Sequence, residues 1–145
     1  VKLALFKLQI NINQPQNMVH QITNGIKVSV ETHFEGTFYN KEVIQFAFSY
    51  VIKIKNERPN PAQLLSRTWH ICDALNSKEK VEGDGVVGDQ PIIQPNESYV
   101  YNSGCTLKSP FGSMKGTYTM VDLYVNDTFK ANIPTFKLCA EFAQN

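Results

Sequence analysis

Apolar and polar residues alternate with a period of two through much of the chain, and a helical period is nearly absent. Ile26, Val28 and Val30 alternate with Lys27, Ser29 and Glu31, which predicts a strand with one wet face. The longest alternation comes next. Ile44, Phe46, Phe48, Tyr50, Ile52 and Ile54 share one phase, and Gln45, Ala47, Ser49, Val51, Lys53 and Lys55 hold the other. Successive side chains of a strand point to opposite faces, so this pattern predicts a long strand with one face in a core.

Residues 63–73 read as a third strand. Leu65, Arg67, Trp69 and Ile71 share a face there, opposite Leu64, Ser66, Thr68, His70 and Cys72. Arg67 among core residues predicts one of two things: a rim position paired with a carboxylate, or a bulge that resets the phase before Trp69. Shorter strands are expected at 98–101, 116–125, 128–133 and 135–141, and the polar stretch 74–82 has room for one more. Asn56 to Pro61, Gln94-Pro95-Asn96 and Asn126-Asp127 carry turn chemistry. Seven to eight strands with regular turns predict an all-β, two-sheet antiparallel sandwich with Greek-key connections and Trp69 between the sheets. A barrel is the alternative.

A chain of 145 residues without an internal repeat fits one domain, large enough to fold without a disulfide or metal. The net charge of +1, with no clustered Lys and Arg, argues against a nucleic-acid partner. Cys72, Cys105 and Cys139 are odd in number and form no CxxC pair, which fits a reducing compartment. The sequons at Asn96 and Asn126 fall where turns are expected. No apolar run approaches membrane-spanning length, so no membrane insertion is expected. Lys2 and Lys7 interrupt the apolar N-terminal stretch, which makes a poor signal peptide. A polar run, Asn11 to Asn17, then leads to Met18, a candidate natural start. Residues 1–17 are therefore expected to be an extension outside a domain at 18–145.

Gly83-Asp84-Gly85-Val86-Val87-Gly88 matches the GxGxxG pattern of nucleotide-binding loops. That chemistry needs a buried strand before the loop and a helix after it. The polar stretch before Gly83 and the prolines Pro91 and Pro95 after it supply neither, and Asp84 and Asp89 would repel phosphate. An Ω-like loop using glycine for unusual backbone angles is the competing reading. His70 and Cys72 point the same way on their strand and could supply half of a metal site, with His70 the candidate ligand; the spacing lacks the usual four-ligand signature. No nucleophile–base signature appears, so no catalytic residue is expected and the chain is read as a non-enzyme with no cofactor. Pro110-Phe111-Gly112-Ser113-Met114-Lys115-Gly116 reads as a loop. It either offers Phe111 and Met114 as an apolar contact surface or tucks them over the end of the core.

Four segments in this order resemble the ApaG family: Leu64-Leu65-Ser66-Arg67-Thr68-Trp69, Gly83 to Pro91, Ser103-Gly104-Cys105, and Pro110 to Tyr118. The resemblance spans about residues 20–140. It implies a fibronectin type III-like or immunoglobulin-like sandwich in a small cytoplasmic bacterial protein, often encoded beside a diadenosine tetraphosphate hydrolase. A family label links it to cobalt and magnesium efflux. Similar domains in a eukaryotic F-box protein and a polymerase-delta-interacting protein look like protein-contact modules. The family offers no established catalytic residues to carry over. Thr68 stands where the family commonly has His, which weakens any metal role built on that position.

The expected function is a non-enzymatic binding module for a protein partner. It would dock at a sheet edge or at loops carrying Gly83, Gly85, Gly88 and Asp89, or Phe111, Gly112, Ser113 and Met114. Exposed strand edges also leave room for a homodimer. Direct divalent-cation binding and nucleotide or pyrophosphate binding at the glycine loop are the alternatives.

Overall fold

The structure is a computed structural model that describes residues 3, 4, 17–75 and 78–140. The described strands are β1 (Leu3–Ala4), β2 (Asn17–Thr23), β3 (Ile26–Asn40), β4 (Val43–Asn56), β5 (Ala62–Asp73), β6 (Lys78–Asp84), β7 (Ile92–Ile93), β8 (Ser98–Leu107), β9 (Phe111–Asp122) and β10 (Thr128–Cys139). All pairings are antiparallel. One sheet runs β1-β8-β4-β3-β2; the other runs β10-β9-β5-β6, with β7 added on β5. This is the expected two-sheet sandwich, and its strand order is consistent with a fibronectin type III-like arrangement. Most of the expected extension 1–17 lies outside the described residues; within it, Leu3 and Ala4 pair with Cys105 and Gly104 at the edge of β8.

The β4 alternation explains the core. Phe46, Phe48, Tyr50, Ile52 and Ile54 are all buried, beside Ile26, Val28 and Val30 of the neighbouring strand β3 and facing the second sheet. Tyr50, Trp69 and Phe136 form an aromatic centre, with centroids 5.6 Å apart for Tyr50–Trp69, 5.5 Å for Tyr50–Phe136 and 5.9 Å for the edge-on pair Trp69–Phe136. Ile44 departs from the pattern and is 38% exposed. The reason is pairing: β8 ends with Leu107 opposite Phe46, so Val43 to Gln45 pair with β3 alone. The tip of the β3–β4 hairpin overhangs the sandwich, with Phe38, Tyr39 and Val43 exposed. Lys41 and Glu42 close it with φ of 48° and 68°, as a two-residue hairpin turn demands.

Two strand expectations are corrected. Residues 98–101 are only the start of β8, which continues through Ser103-Gly104-Cys105 to Leu107. Phe111 to Lys115 is the first part of β9, which then stops at Asp122. Leu123 and Val125, expected on that strand, are exposed in the turn before β10.

One pole of the sandwich is fastened by polar groups. Asn56 is fully buried; its amide donates to the carbonyls of Asn60 (2.9 Å) and Ile93 (2.8 Å). Arg58 pairs with buried Asp122 at 3.2 Å, donates to the carbonyl of Asn24 at 2.8 Å and lies 4.0 Å over the Phe129 ring.

Candidate functional site

The glycine loop is a miniature hairpin. Val86 and Asp89 exchange both backbone hydrogen bonds, at 2.8 and 3.0 Å, around Val87 and Gly88 with φ of 49° and 84°. Gly85 has φ of +60°, and a Cβ there would lie 2.2 Å from the carbonyl oxygen of Asp89. The loop is stapled to β5: Leu65 O accepts from the Gly85 amide (2.8 Å) and from Gln90 Nε2 (2.9 Å), and the Leu64 amide donates to Pro91 O (3.0 Å). The amides of Gly85, Val86 and Asp89 are therefore committed within the chain. A phosphate cradle uses such amides pointing outward. Asp89 accepts a hydrogen bond from Tyr99 at 3.0 Å, and burial followed by that carboxylate raises the Tyr99 phenol above its ordinary range.

Arg67 underlies this loop. A bulge is present, but it lies between Leu64 and Ser66, upstream of Arg67, so it does not take Arg67 out of phase with Trp69 as the expected bulge would. It turns Leu64 inward, fully buried, and leaves Leu65 half-buried, which reverses the expected facing of those two residues. Arg67 stays on the core side, opposite Tyr118. Its Nη1 donates to the carbonyls of Asp84 (3.0 Å) and Gly85 (2.7 Å) rather than meeting a carboxylate. Gly83 leaves space for it, since a Cβ there would lie 3.0 Å from Nη1. Beside it the hydroxyls of Tyr101 and Tyr118 hydrogen-bond to each other in the core. Burial holds both phenols well above their ordinary range, so neither is an acid–base group near neutral pH.

Phe111, Gly112 and Ser113 sit elsewhere, at the far end of the β5-β9-β10 sheet. Together with Cys72, Ala74, Lys137, Leu138 and Cys139 they line an open hollow of about 480 Å³. Gly112 brings the strands close: a Cβ would lie 2.5 Å from Leu107 Cδ1 and 2.6 Å from Cys72 O. Phe111 is 45% exposed while Met114 is wholly buried, with the Cys105 thiol 3.7 Å from its sulfur. The segment thus divides the two readings of its sequence between Phe111, which is offered outward, and Met114, which is core. Burial pushes the Cys105 thiol up to about 12. Trp69 packs between the sheets as expected.

His70 lies on the same outer face as the hollow, exposed and paired in register with Lys80 on β6 and Lys115 on β9. With Lys115, Thr117, Asn132, Thr135 and Gln21 it lines a second, more polar hollow of about 330 Å³. Among the described residues no group of three or more His, Cys, Asp or Glu could hold a metal ion. Also among them, no helix is long and apolar enough to cross a membrane.

Sequence reasoning missed the lysines. Along β5, β6, β9 and β10, register sets Lys78, Cys72, Ser113 and Lys137 in one row and Lys80, His70 and Lys115 in the next. Lys78 and Lys80 lie together on β6, but Lys115 and Lys137 lie on two further strands, so no local charge run announces the cluster.

Comparison with known proteins agrees with the four motifs. The ApaG domain pattern matches residues 37–122. Protein ApaG of Anaeromyxobacter dehalogenans (strain 2CP-1) is 49% identical over 100 residues, covering 69% of this chain and 78% of its own. Protein ApaG of Acidithiobacillus ferrooxidans (strain ATCC 53993) is 42% identical over 123 residues, covering 85% and 96%. A crystal structure from Bordetella pertussis, given the name ApaA, superposes with a TM-score of 0.72 at 34% identity, covering 88% of this chain and 97% of that one. The chain belongs to the ApaG domain family.

Proposed function

We propose that this chain is a non-enzymatic, cytoplasmic protein-binding module whose contact surface is the outer face of β5, β9 and β10. The observation that carries this reading is the hollow around Phe111. An aromatic side chain stands exposed over an apolar recess whose lining includes Cys72, Ala74, Leu138 and Cys139. Met114 belongs to the core cluster and Phe111 does not, so core packing does not account for an aromatic residue at this position. Exposed apolar recesses of this kind anchor a partner's side chain. Any link to cobalt and magnesium homeostasis would then run through the partner.

Peptide display on the immobilised chain, counter-selected on Phe111→Asp, tests this. Clones that bind the native chain and are lost on the variant are expected. If every recovered clone binds both equally, this face is not the contact surface. Direct cation binding and nucleotide binding are tested by thermal unfolding with magnesium, cobalt, ATP or diadenosine tetraphosphate. A ligand of the folded state at 100 times its Kd adds about 2.7 kcal/mol, so the flat response expected here is distinguishable from binding.

A further inference from the structure

The rows of residues on the outer face change character along the strands. The end row, Ala74, Phe111 and Cys139, is apolar. The next holds Lys78, Cys72, Ser113 and Lys137, and the one after it Lys80, His70 and Lys115. Strands lie about 4.8 Å apart and alternate residues about 6.8 Å apart, so these side chains share one small area. Lys80 is held at 2.9 Å by Glu82, which lies on the row beyond. Among the described residues Lys78, Lys115 and Lys137 have no ion pair. Asp73, at the same end of β5, is buried and turned to the Lys108 amide and the Ser109 hydroxyl. No two of these lysines are directly opposite: Lys78 pairs in register with Cys72, Lys137 with Ser113 and Lys115 with His70, so the cations are spread over the face and can be met together by a ligand with several anionic groups. An apolar recess bordered by unneutralised cations is complementary to one ligand chemistry.

Resting on the binding reading above, we infer that this face takes an acidic protein segment carrying one aromatic or large aliphatic side chain. The apolar side chain seats against Phe111 in the hollow between Cys72 and Cys139. The flanking carboxylates meet Lys78, Lys115 and Lys137.

The test uses the full chain and fluorescent synthetic peptides followed by anisotropy. The first has a single Phe flanked by Asp and Glu; the second replaces each acid by Lys; the third keeps the acids and replaces Phe by Ser. The first is expected to bind at least tenfold more tightly than the others, and to weaken as salt rises and screens the charges. Lys115→Glu with Lys137→Glu is expected to weaken it at least tenfold, with Lys115→Gln and Lys137→Gln intermediate. Both pairs lie at exposed positions, and unchanged melting temperatures would confirm folding. Bound peptide should also slow iodoacetamide alkylation of Cys72 and Cys139, while buried Cys105 stays unreactive throughout. If the lysine-flanked peptide binds as well as the acidic one, with Phe111→Ser weakening both, the charge inference is overturned and the binding reading stands. If the Ser peptide or inorganic pyrophosphate matches the Phe peptide, the face is a simple anion site and the inference is overturned. If no peptide binds and display yields no Phe111-dependent clone, both fall together.

Discussion

At the scale of single residues, the glycines of the loop show why a motif is only as good as its context. Gly85 fits GxGxxG, yet its role here is steric: φ of +60° and a Cβ position 2.2 Å from Asp89 O leave no room for a side chain. Gly88 has φ of +84° but open space around it. The two should therefore separate on substitution. Gly85→Ala is expected to cost at least about 2 kcal/mol, because strain and a backbone clash add. Gly88→Ala is expected to cost about 1 kcal/mol, from the backbone angle alone. Urea unfolding of both variants checks this; equal losses would mean that the contact with Asp89 is not what fixes Gly85. Gly85→Val would break the loop in either case, so loss of ligand binding in that variant would not identify a phosphate cradle.

At the scale of elements, what could be read from the sequence followed from how local the cause was. The alternation on β4 predicted the face buried from Phe46 to Ile54 because period two is a property of the strand itself. Two features escaped because neighbouring strands decide them. Ile44 obeys the same alternation but is exposed, since β8 stops short of it. Phe111-Gly112-Ser113 has the composition of a turn, yet pairing with Cys139, Leu138 and Lys137 makes it strand. The lysine rows escaped for the same reason: register across four strands is a non-local fact. The Arg67 anomaly was legible but its resolution was not: the bulge lies upstream of Arg67 and leaves it in phase with Trp69, and its carbonyl partners leave no trace in a sequence. The β3–β4 hairpin offers a direct check on this division. Tyr39→Ser, on the overhanging tip, is expected to change stability by no more than about 0.5 kcal/mol. Phe48→Ala, on the same strand pair but wholly buried, is expected to cost about 3–5 kcal/mol. Thermal melts of the two variants measure the contrast, and a large loss for Tyr39→Ser would show that the tip is packed rather than overhanging.

At the scale of the whole molecule, one of the polar fastenings between the two sheets carries a charge that titrates. Asp122, at the end of β9, takes the Arg58 guanidinium at 3.2 Å, the Asn60 amide at 3.2 Å and the backbone amides of Tyr124 at 3.0 Å and Val125 at 3.3 Å. Arg58 in turn reaches Asn24 O, in the turn between β2 and β3, and Phe129 of β10. One carboxylate therefore ties segments from both sheets. Burial pushes the Asp122 carboxyl up, but the hydrogen bonds from Tyr124, Arg58, Asn60 and Val125 outweigh it and hold the group below its ordinary range. A depressed carboxylate stabilises the fold above its unfolded pKa, about 3.9 for Asp, and that contribution disappears as pH falls through the folded value. Asp122→Asn removes the charge at every pH and keeps the shape. The urea midpoint of the variant should lie well below that of the native chain at pH 7. The gap should narrow below about pH 4 and close once the native carboxyl is protonated. A gap that stayed constant into strong acid would mean that Asp122 acts through its shape and neutral hydrogen bonds. The pole would then be held by Asn56 and the packing of Arg58 on Phe129 rather than by charge.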